Sequence, residues 1–360
     1  MAPQLTPQSV SLKDKKILGA AMLATLVAGF CTHDRFGPIV AFLTAALALS
    51  LLAVVVGHAT DHLGSRMSPG ATGVLQSALG NLPELMVCIF SLRAGLVDVV
   101  KGALVGSIMA NSLLVLGLAT LFGGLKNGTQ KFKSEPPKMI AILMFLAVAA
   151  LLVPSLAHWV HTPAGAHEKE LSGVCSIVLL VVFGCTLSFF LKGSPEVTCE
   201  DACEHASWSV GLAGGVLALA GIGSAFVSDW FVEALKPATQ AMGLSEAFTG
   251  LVVVAIAGNA IENLVGIQLA LKNKPDYAVS VILNSSLQIA LVLIPVLVLV
   301  SMVFFTATPL TLVLSPMLVV ALVLSALIPA MIVFDGETIW LEGAALIGLY
   351  ILIAAAFWWG

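Results

Sequence analysis

Charged residues are scarce in this chain. Asp, Glu, Lys and Arg make up 10% of its 360 residues, whereas roughly 25% of an ordinary soluble domain is charged. Hydrophobic residues make up 59% of the chain, and they recur in runs close to the ~20 residues that cross a bilayer as a helix. The composition therefore predicts an all-α polytopic membrane protein, surrounded by the lipid bilayer and without a nucleic-acid partner.

Several motifs of known protein classes are also missing. The six cysteines are scattered, which suits small buried side chains better than a disulfide framework. The sequence contains neither His-Glu-x-x-His nor Gly-x-Ser-x-Gly, which would indicate a metalloprotease or a serine hydrolase. The Thr-Val-Gly-Tyr-Gly filter of potassium channels is absent as well. We therefore expect a protein that is not an enzyme and that has no cofactor.

The apolar runs predict about eleven transmembrane helices. The polar start, Met1 to Lys16, shows no cleavage site after an apolar core, so we expect no removable signal peptide. The predicted spans cover residues 17–33, 38–57, 71–92, 99–123, 138–157, 171–191, 208–228, 245–270, 277–304, 309–334 and 340–359.

Basic residues predict the orientation of these spans. Eleven of the 16 Lys and Arg residues fall on one side, and cytoplasmic loops are the ones enriched in Lys and Arg. We therefore expect a cytoplasmic N-terminus and a C-terminus outside. The compact length and short termini favour a bacterial plasma (inner) membrane, with a vacuolar membrane as the alternative. The eleven residues are Lys13, Lys15, Lys16, Arg66, Lys126, Lys131, Lys133, Lys138, Lys192, Lys272 and Lys274.

The chain contains an internal repeat. A shift of 178 residues aligns residues 80–109 with residues 258–287. Because the matched spans are the third and the eighth, an odd number of positions apart, the two copies cross the membrane in opposite directions. Inverted repeats of this kind are typical of secondary transporters, whose sites lie near the midplane. The matched pairs are Gly80/Gly258, Asn81/Asn259, Glu84/Glu262, Val87/Val265, Ile89/Ile267, Asp98/Asp276 and Ser107/Ser285.

The repeat predicts four parts of the chain. Residues 1–36 form an N-terminal tail and an extra first helix, and residues 37–191 form the first five-helix repeat. Residues 192–207 form an acidic cytoplasmic linker, and residues 208–360 form the second repeat.

Glu84 and Glu262 lie deep inside predicted spans, each at the end of a Gly-Asn-x-x-Glu motif. An ionisable residue at membrane depth is costly, so we interpret both as functional. Asn81 and Asn259 lie three residues earlier and therefore project from nearly the same helix face. Three further residues, Gly80, Pro83 and Gly258, would loosen the helices and expose backbone carbonyls to a cation.

The helices that follow offer further oxygen atoms. Carboxylates, amides, hydroxyls and carbonyls are the ligands of Ca²⁺, which takes about six to eight of them. The alternative is that the neutral side chains only join helices, as Gly102-x-x-x-Gly106 and Gly211-x-x-x-Gly215 often do. The candidate ligands are Ser107, Asn111, Ser285 and Gln288.

The two carboxylates also predict exchange. An emptied site would leave two negative charges close together in a low dielectric, where each is destabilised by desolvation and by the other. Protons should therefore replace the departing cation. The pair is then stable when it holds the cation or protons, and it is unstable when it holds neither.

These motifs resemble those of a known family. Gly80-Asn81-x-x-Glu84-Leu85, Gly258-Asn259-Ala260-x-Glu262, Gly106-Ser107-Ile108 and Ser285-Ser286-x-Gln288-Ile289-Ala290-Leu291 are similar to the motifs of the calcium/proton exchanger (CAX) family, and the resemblance covers essentially the whole chain. It implies eleven spans, an acidic segment between the halves, and export of Ca²⁺ from the cytosol in exchange for H⁺. Glu84 and Glu262 would bind both the cation and the protons.

The chain departs from the family pattern at three positions. Asn263 stands where the family usually has His, Ala110 where it usually has Ser, and Asn284 where it usually has Gly. Because the two glutamates can carry the protons, we expect exchange to persist without the histidine. Two other functions stay open at this point: a cation channel, or an exchanger with altered selectivity for Mn²⁺ or Na⁺. The sequence leaves the oligomeric state open too.

Two weaker signals lie outside these motifs. His58 and His62 follow the second span, where solvated residues at a helix end are favoured over a metal or proton-entry site. Cys199 and Cys203 with His205 offer ligands for a soft metal, but their spacing is not typical of a zinc site.

Overall fold

The structure is a computed structural model that describes residues 11–33, 36–64, 79–132, 135–192 and 208–358, with the side chains of 135–136, 189–192 and 260–263 left out. Nearly all of these residues are helical. Two short strands, β1 (Gln130–Lys131) and β2 (Glu337–Thr338), pair antiparallel. The helices are α1 Leu12–His33, α2 Pro38–Gly64, α3 Leu82–Arg93, α4 Val97–Asn127, α5 Glu135–Trp159, α6 Glu168–Lys192, α7 Val210–Met242, α8 Glu246–Gly258, α9 Ala260–Leu271, α10 Pro275–Phe304, α11 Pro316–Val333 and α12 Trp340–Trp358.

Among the described residues, nine helices are long and apolar enough to cross a membrane. The remaining two predicted spans, 71–92 and 245–270, fall on the short helices α3, α8 and α9. The expectation of an all-α polytopic membrane protein is confirmed. The total of eleven spans stays a prediction, because part of the span 71–92 lies outside the described residues.

The predicted span 309–334 begins too early. Its helix, α11, starts only at Pro316, and the preceding residues are not helical. Pro309 and Pro316 explain the difference, because proline donates no backbone hydrogen bond and disfavours helical geometry in the residue before it. The span predicted at 208–228 ends too early, since its helix, α7, continues to Met242.

Serine hydroxyls satisfy the backbone of this non-helical segment, 305–315. Leu310, Leu312 and Leu314 are buried in alternation, so their N–H groups need partners away from water. Each of these N–H groups donates to a serine Oγ, at 2.8 Å (Ser301), 3.0 Å (Ser172) and 2.9 Å (Ser155). Lys101 Nζ donates to the Val313 carbonyl at 2.6 Å.

The chain forms two compact units. The first contains residues 1–87 and 185–242, and the second contains residues 88–184 and 243–360. In the first unit α2 packs against both α1 and α7, and the rings of Phe42 and Phe231 stack with centroids 4.9 Å apart. The division into repeats and linker stays a prediction, and residues 193–207 of the linker lie outside the described residues.

Glycines bring α4 and α8 into backbone contact within the second unit. A Cβ built on Gly106 would lie 2.1 Å from the Leu251 carbonyl oxygen, and one on Gly250 would lie 2.4 Å from the Val99 carbonyl oxygen. Gly102-x-x-x-Gly106 therefore allows α4 and α8 to cross closely. Gly211 and Gly215 meet nothing within 4 Å, so that second motif forms no such crossing among the described residues.

We predict that Gly106→Ala destabilises the protein by about 1–3 kcal/mol, because the added methyl group overpacks a backbone contact. Gly211→Ala is the matched control: its methyl group enters open space, and alanine favours a helix over glycine. Thermal unfolding of the two purified variants in detergent measures the difference. An equal melting temperature for both variants would contradict the crossing.

Candidate cation site

Two helices are interrupted at equivalent positions of the repeat. α3 begins at Leu82 and α9 begins at Ala260, each two residues after a glycine of the Gly-Asn-x-x-Glu motif. Asn259 has φ −102° and ψ 25°, so it stands outside helical geometry between α8 and α9. Pro83 lies in the first turn of α3, where a missing N–H costs little.

The interruption places each glutamate in the first turn of a helix. Glu84 is the third residue of α3 and is 1% exposed, and Asn81, just before that helix, is 8% exposed. Glu262 is the third residue of α9, and its side chain lies outside the described residues. A helix N-terminus carries partial positive charge, so this position favours a carboxylate that apolar surroundings alone would destabilise.

Four of the predicted polar residues meet in the second unit. Asn259 Nδ2 donates to Ser107 Oγ at 2.9 Å and to the Ala255 carbonyl at 2.8 Å. Asn111 Nδ2 donates to Asn259 Oδ1 at 3.1 Å and to Ser285 Oγ at 3.0 Å. Ser107, Asn111, Asn259 and Ser285 are all buried. These contacts join α4, α10 and the junction of α8 with α9.

The Asn111 amide oxygen can accept a further partner in this network. Asn111 is fully buried, and its Oδ1 accepts no hydrogen bond from the described residues. A buried polar atom normally has a partner, in the protein or from water or an ion. Asn111 Oδ1 is therefore a neutral oxygen suited to a hard cation.

Asn111 also lies in an unusual helical turn. Ala110–Val115 and Ile289–Leu293 are π-helical stretches inside α4 and α10, and the repeat offset of 178 residues aligns residues 111–115 with residues 289–293. Gln288, half-buried, directly precedes the second stretch. Single π-helical turns inside α-helices are frequent at functional sites. A third one, Thr249–Val254, lies in α8 before Asn259.

One polar contact beside this network escaped the sequence analysis. Ser112 Oγ and Ser286 Oγ lie 2.9 Å apart, and both residues are buried. The repeat offset does not match them, because position 290, the counterpart of Ser112, is Ala290. The available signal was their adjacency to Asn111 and Ser285.

The histidines and cysteines of the described residues do not form a metal centre. No group of three or more His, Cys, Asp or Glu residues is placed to hold a metal within that part of the chain. His158 pairs with Glu168, and both side chains are partly exposed. Cys199, Cys203 and His205 lie outside the described residues.

Comparisons with known proteins agree with the motifs. The profile of the sodium/calcium exchanger protein family matches residues 37–192 and 212–359. A Ca(2+)/H(+) antiporter of Aphanothece halophytica is 37% identical over 336 residues, which cover 88% of this chain and 89% of the relative. The chain belongs to the calcium/proton exchanger (CAX) family.

Two further CAX relatives cover nearly the whole chain. The Ca(2+)/H(+) antiporter ChaA of Bacillus subtilis (strain 168) is 33% identical over 350 residues, or 95% of this chain and 97% of the relative. The solved structure of native YfkE has a TM-score of 0.82 at 29% identity, and the match covers 95% of this chain and 99% of that one. The proposed family resemblance is therefore confirmed.

We predict that Ser112→Ala and Ser286→Ala each lower the free energy of unfolding by about 1 kcal/mol, because each removes one partner of a buried hydrogen bond. The double variant should cost less than the two single variants together, because the second change removes no further bond. Denaturant or thermal unfolding of the four proteins measures this coupling.

Ser325→Ala provides the control for that cycle. Ser325 is also buried, but its Oγ donates to the Ala321 carbonyl of its own helix. Ser112→Ala and Ser325→Ala should therefore be additive within about 0.5 kcal/mol. Additivity of Ser112→Ala with Ser286→Ala would contradict the hydroxyl pair.

Proposed function

We propose that this chain is a secondary antiporter that exports Ca²⁺ from the cytosol in exchange for H⁺ by alternating access. The observation that carries the proposal is Glu84, a carboxylate that is 1% exposed in the first turn of α3, together with its repeat counterpart Glu262. The relatives from Aphanothece halophytica and Bacillus subtilis, both Ca(2+)/H(+) antiporters, support it.

The residues supply the chemistry that Ca²⁺ needs. Glu84 and Glu262 balance its double charge, while Asn and Ser oxygens complete a flexible shell of hard ligands. We assign supporting positions to Asn81, Asn111, Asn259, Ser107, Ser285 and Gln288. Asn111 Oδ1 is the neutral ligand with the strongest structural support, since the described residues offer it no hydrogen-bond donor.

Exchange follows from the electrostatics of the two carboxylates. When Ca²⁺ leaves, two negative charges remain in an apolar chain, and proton uptake relieves both their desolvation and their repulsion. Because the site is occupied either by the cation or by protons, the flow of one ion can drive the other uphill, which a channel cannot do.

The nine apolar helices of the described residues and the antiporter relatives support an integral membrane protein. We propose a cytoplasmic N-terminus, for which the asymmetry of Lys and Arg is the support. We also propose a bacterial plasma membrane, for which the bacterial relatives are the support.

We predict that Glu84→Gln and Glu262→Gln each abolish Ca²⁺/H⁺ exchange while the protein still inserts and folds. Each change keeps the size of the side chain and removes one of the two charges that a divalent cation requires. Ca²⁺-dependent proton release from proteoliposomes, together with direct Ca²⁺ binding to the purified variants, measures the loss.

Glu233→Gln and Glu246→Gln are the matched controls. Glu233 and Glu246 are exposed, one on α7 and one at the start of α8, so both variants should exchange at the wild-type rate. Near-normal exchange in either the Glu84 or the Glu262 variant would contradict the two-carboxylate site.

We predict that Cys199 and Cys203 react with membrane-impermeant thiol reagents only from the cytoplasmic side. The distribution of Lys and Arg and the even number of predicted spans before residue 192 predict a cytoplasmic linker. A variant with Cys185 replaced by Ser removes the one exposed cysteine among the described residues. Labelling of the linker from outside intact cells would overturn the orientation.

A further inference from the structure

A cluster of titratable and aromatic side chains lies in the first unit, among residues that the exchange site does not use. Asp14 stands in the first turn of α1, and its side chain is 7% exposed. Trp208, two residues before α7, is 1% exposed. His58 and His62 lie one turn apart near the end of α2. The cluster joins α1, α2 and the start of α7.

The contacts of this cluster are specific. Trp208 Nε1 donates to Asp14 Oδ2 at 3.1 Å, and His58 Nδ1 lies 3.8 Å from Asp14 Oδ1. The His62 ring stacks on the indole of Trp208, with centroids 4.6 Å apart and planes at 21°. Each histidine therefore faces one member of the Asp14–Trp208 pair. The interpretation of His58 and His62 as solvated end residues is incomplete, because both make these contacts.

The packing around the cluster is tight and apolar. Ala59 and Ala213 are fully buried against Trp208, and Leu18 and Leu63 pack around them. An aspartate held in such surroundings requires partners for its charge. The indole N–H supplies one, and a protonated His58 would supply the other.

The charged residues around the cluster lie on two helices. α2 packs against α1 and α7. On α1, Asp14 is flanked by the exposed Lys13, Lys15 and Lys16, and on α2 the exposed Asp61 precedes His62. α7 carries no charged side chain before Asp229. The buried carboxylate is thus the charge in direct contact, while the lysines are exposed to screening by solvent and salt.

We propose that His58 and His62, with Asp14 and Trp208, form a second proton-binding site, separate from the exchanged protons, that works as a pH-responsive clasp. Protonation turns the His58–Asp14 contact into an ion pair, and it turns the His62–Trp208 stack into a cation–π contact. Both contacts strengthen with the charged imidazole. The clasp therefore tightens at low pH and loosens as the pH rises through the range of about 5–8 in which histidine titrates.

Trp208 stands two residues before α7. The clasp therefore links the start of α7 to α1 and α2, and the strength of this link depends on pH. This inference goes beyond the proposed exchange and does not require it.

The emission of Trp208 tests the site directly. The difference between wild-type and Trp208→Phe fluorescence isolates this indole from the other five tryptophans. We expect the difference signal to change sigmoidally between pH 8 and pH 5, because a cation forms on a stacked ring. His62→Asn should remove the change, while His167→Asn, at an exposed histidine of the described residues, should leave it intact. A flat signal in the wild type, or an unchanged one in His62→Asn, would overturn the proposal.

Thermal unfolding tests the His58–Asp14 half of the clasp. We expect His58→Gln and Asp14→Asn to lose more stability relative to wild type at pH 6 than at pH 8, because a lower pH favours the charged imidazole that pairs with Asp14. An equal loss at both values would overturn this half. Neither assay measures transport. A chain without Ca²⁺/H⁺ exchange could therefore still show the pH response of the clasp. Failure of the clasp proposal and failure of the proposed function are thus distinguishable.

Discussion

The interruption of two apolar helices at a Gly-Asn pair is the constraint on which the rest of the structure depends. A continuous helix would satisfy its own backbone and would leave Glu84 and Glu262 in mid-helix, surrounded by apolar side chains. Restarting the helix at Leu82 and Ala260 instead gives each glutamate the positive end of a helix. The same break places Asn259 outside the helix, where its amide reaches Ser107 and Asn111.

The polar network of the second unit requires close helix packing. Gly102, Gly106 and Gly250 let the backbones of α4 and α8 touch, and any larger residue there would separate the helices. The π-helical turn that contains Asn111 shifts the helical register locally, and this turn points the amide toward Asn259 and Ser285. Glycine and the π-helical turn thus act together to assemble neutral oxygen atoms inside the second unit.

Most residues of the candidate site could be predicted from the sequence, because their motif occurs twice. The 178-residue offset identified Glu84, Glu262, Asn81, Asn259, Ser107 and Ser285 before any geometry was known. Asn111 followed from the oxygen-rich helix after the first motif. The Ser112–Ser286 pair was missed, because neither serine has a polar counterpart at the offset. The start of α11 was misplaced, because hydropathy continues through 309–315 and only Pro309 and Pro316 signal that the helix has not begun.

The contacts of the clasp residues were not predicted from the sequence, for a different reason. Asp14, His58 and Trp208 are far apart in the sequence, and no periodicity connects them. Only the packing of α2 against α1 and α7 brings them into contact.

Uphill transport by the wild-type protein tests the central claim most directly. Purified protein in liposomes with an acidic interior should accumulate Ca²⁺ above its external concentration, and a protonophore that collapses the gradient should release it. Competition by Mn²⁺ and Na⁺ in the same assay ranks the cations. Ca²⁺ that only equilibrates across the membrane, at a rate independent of the pH difference, would indicate a channel and would contradict proton-coupled exchange.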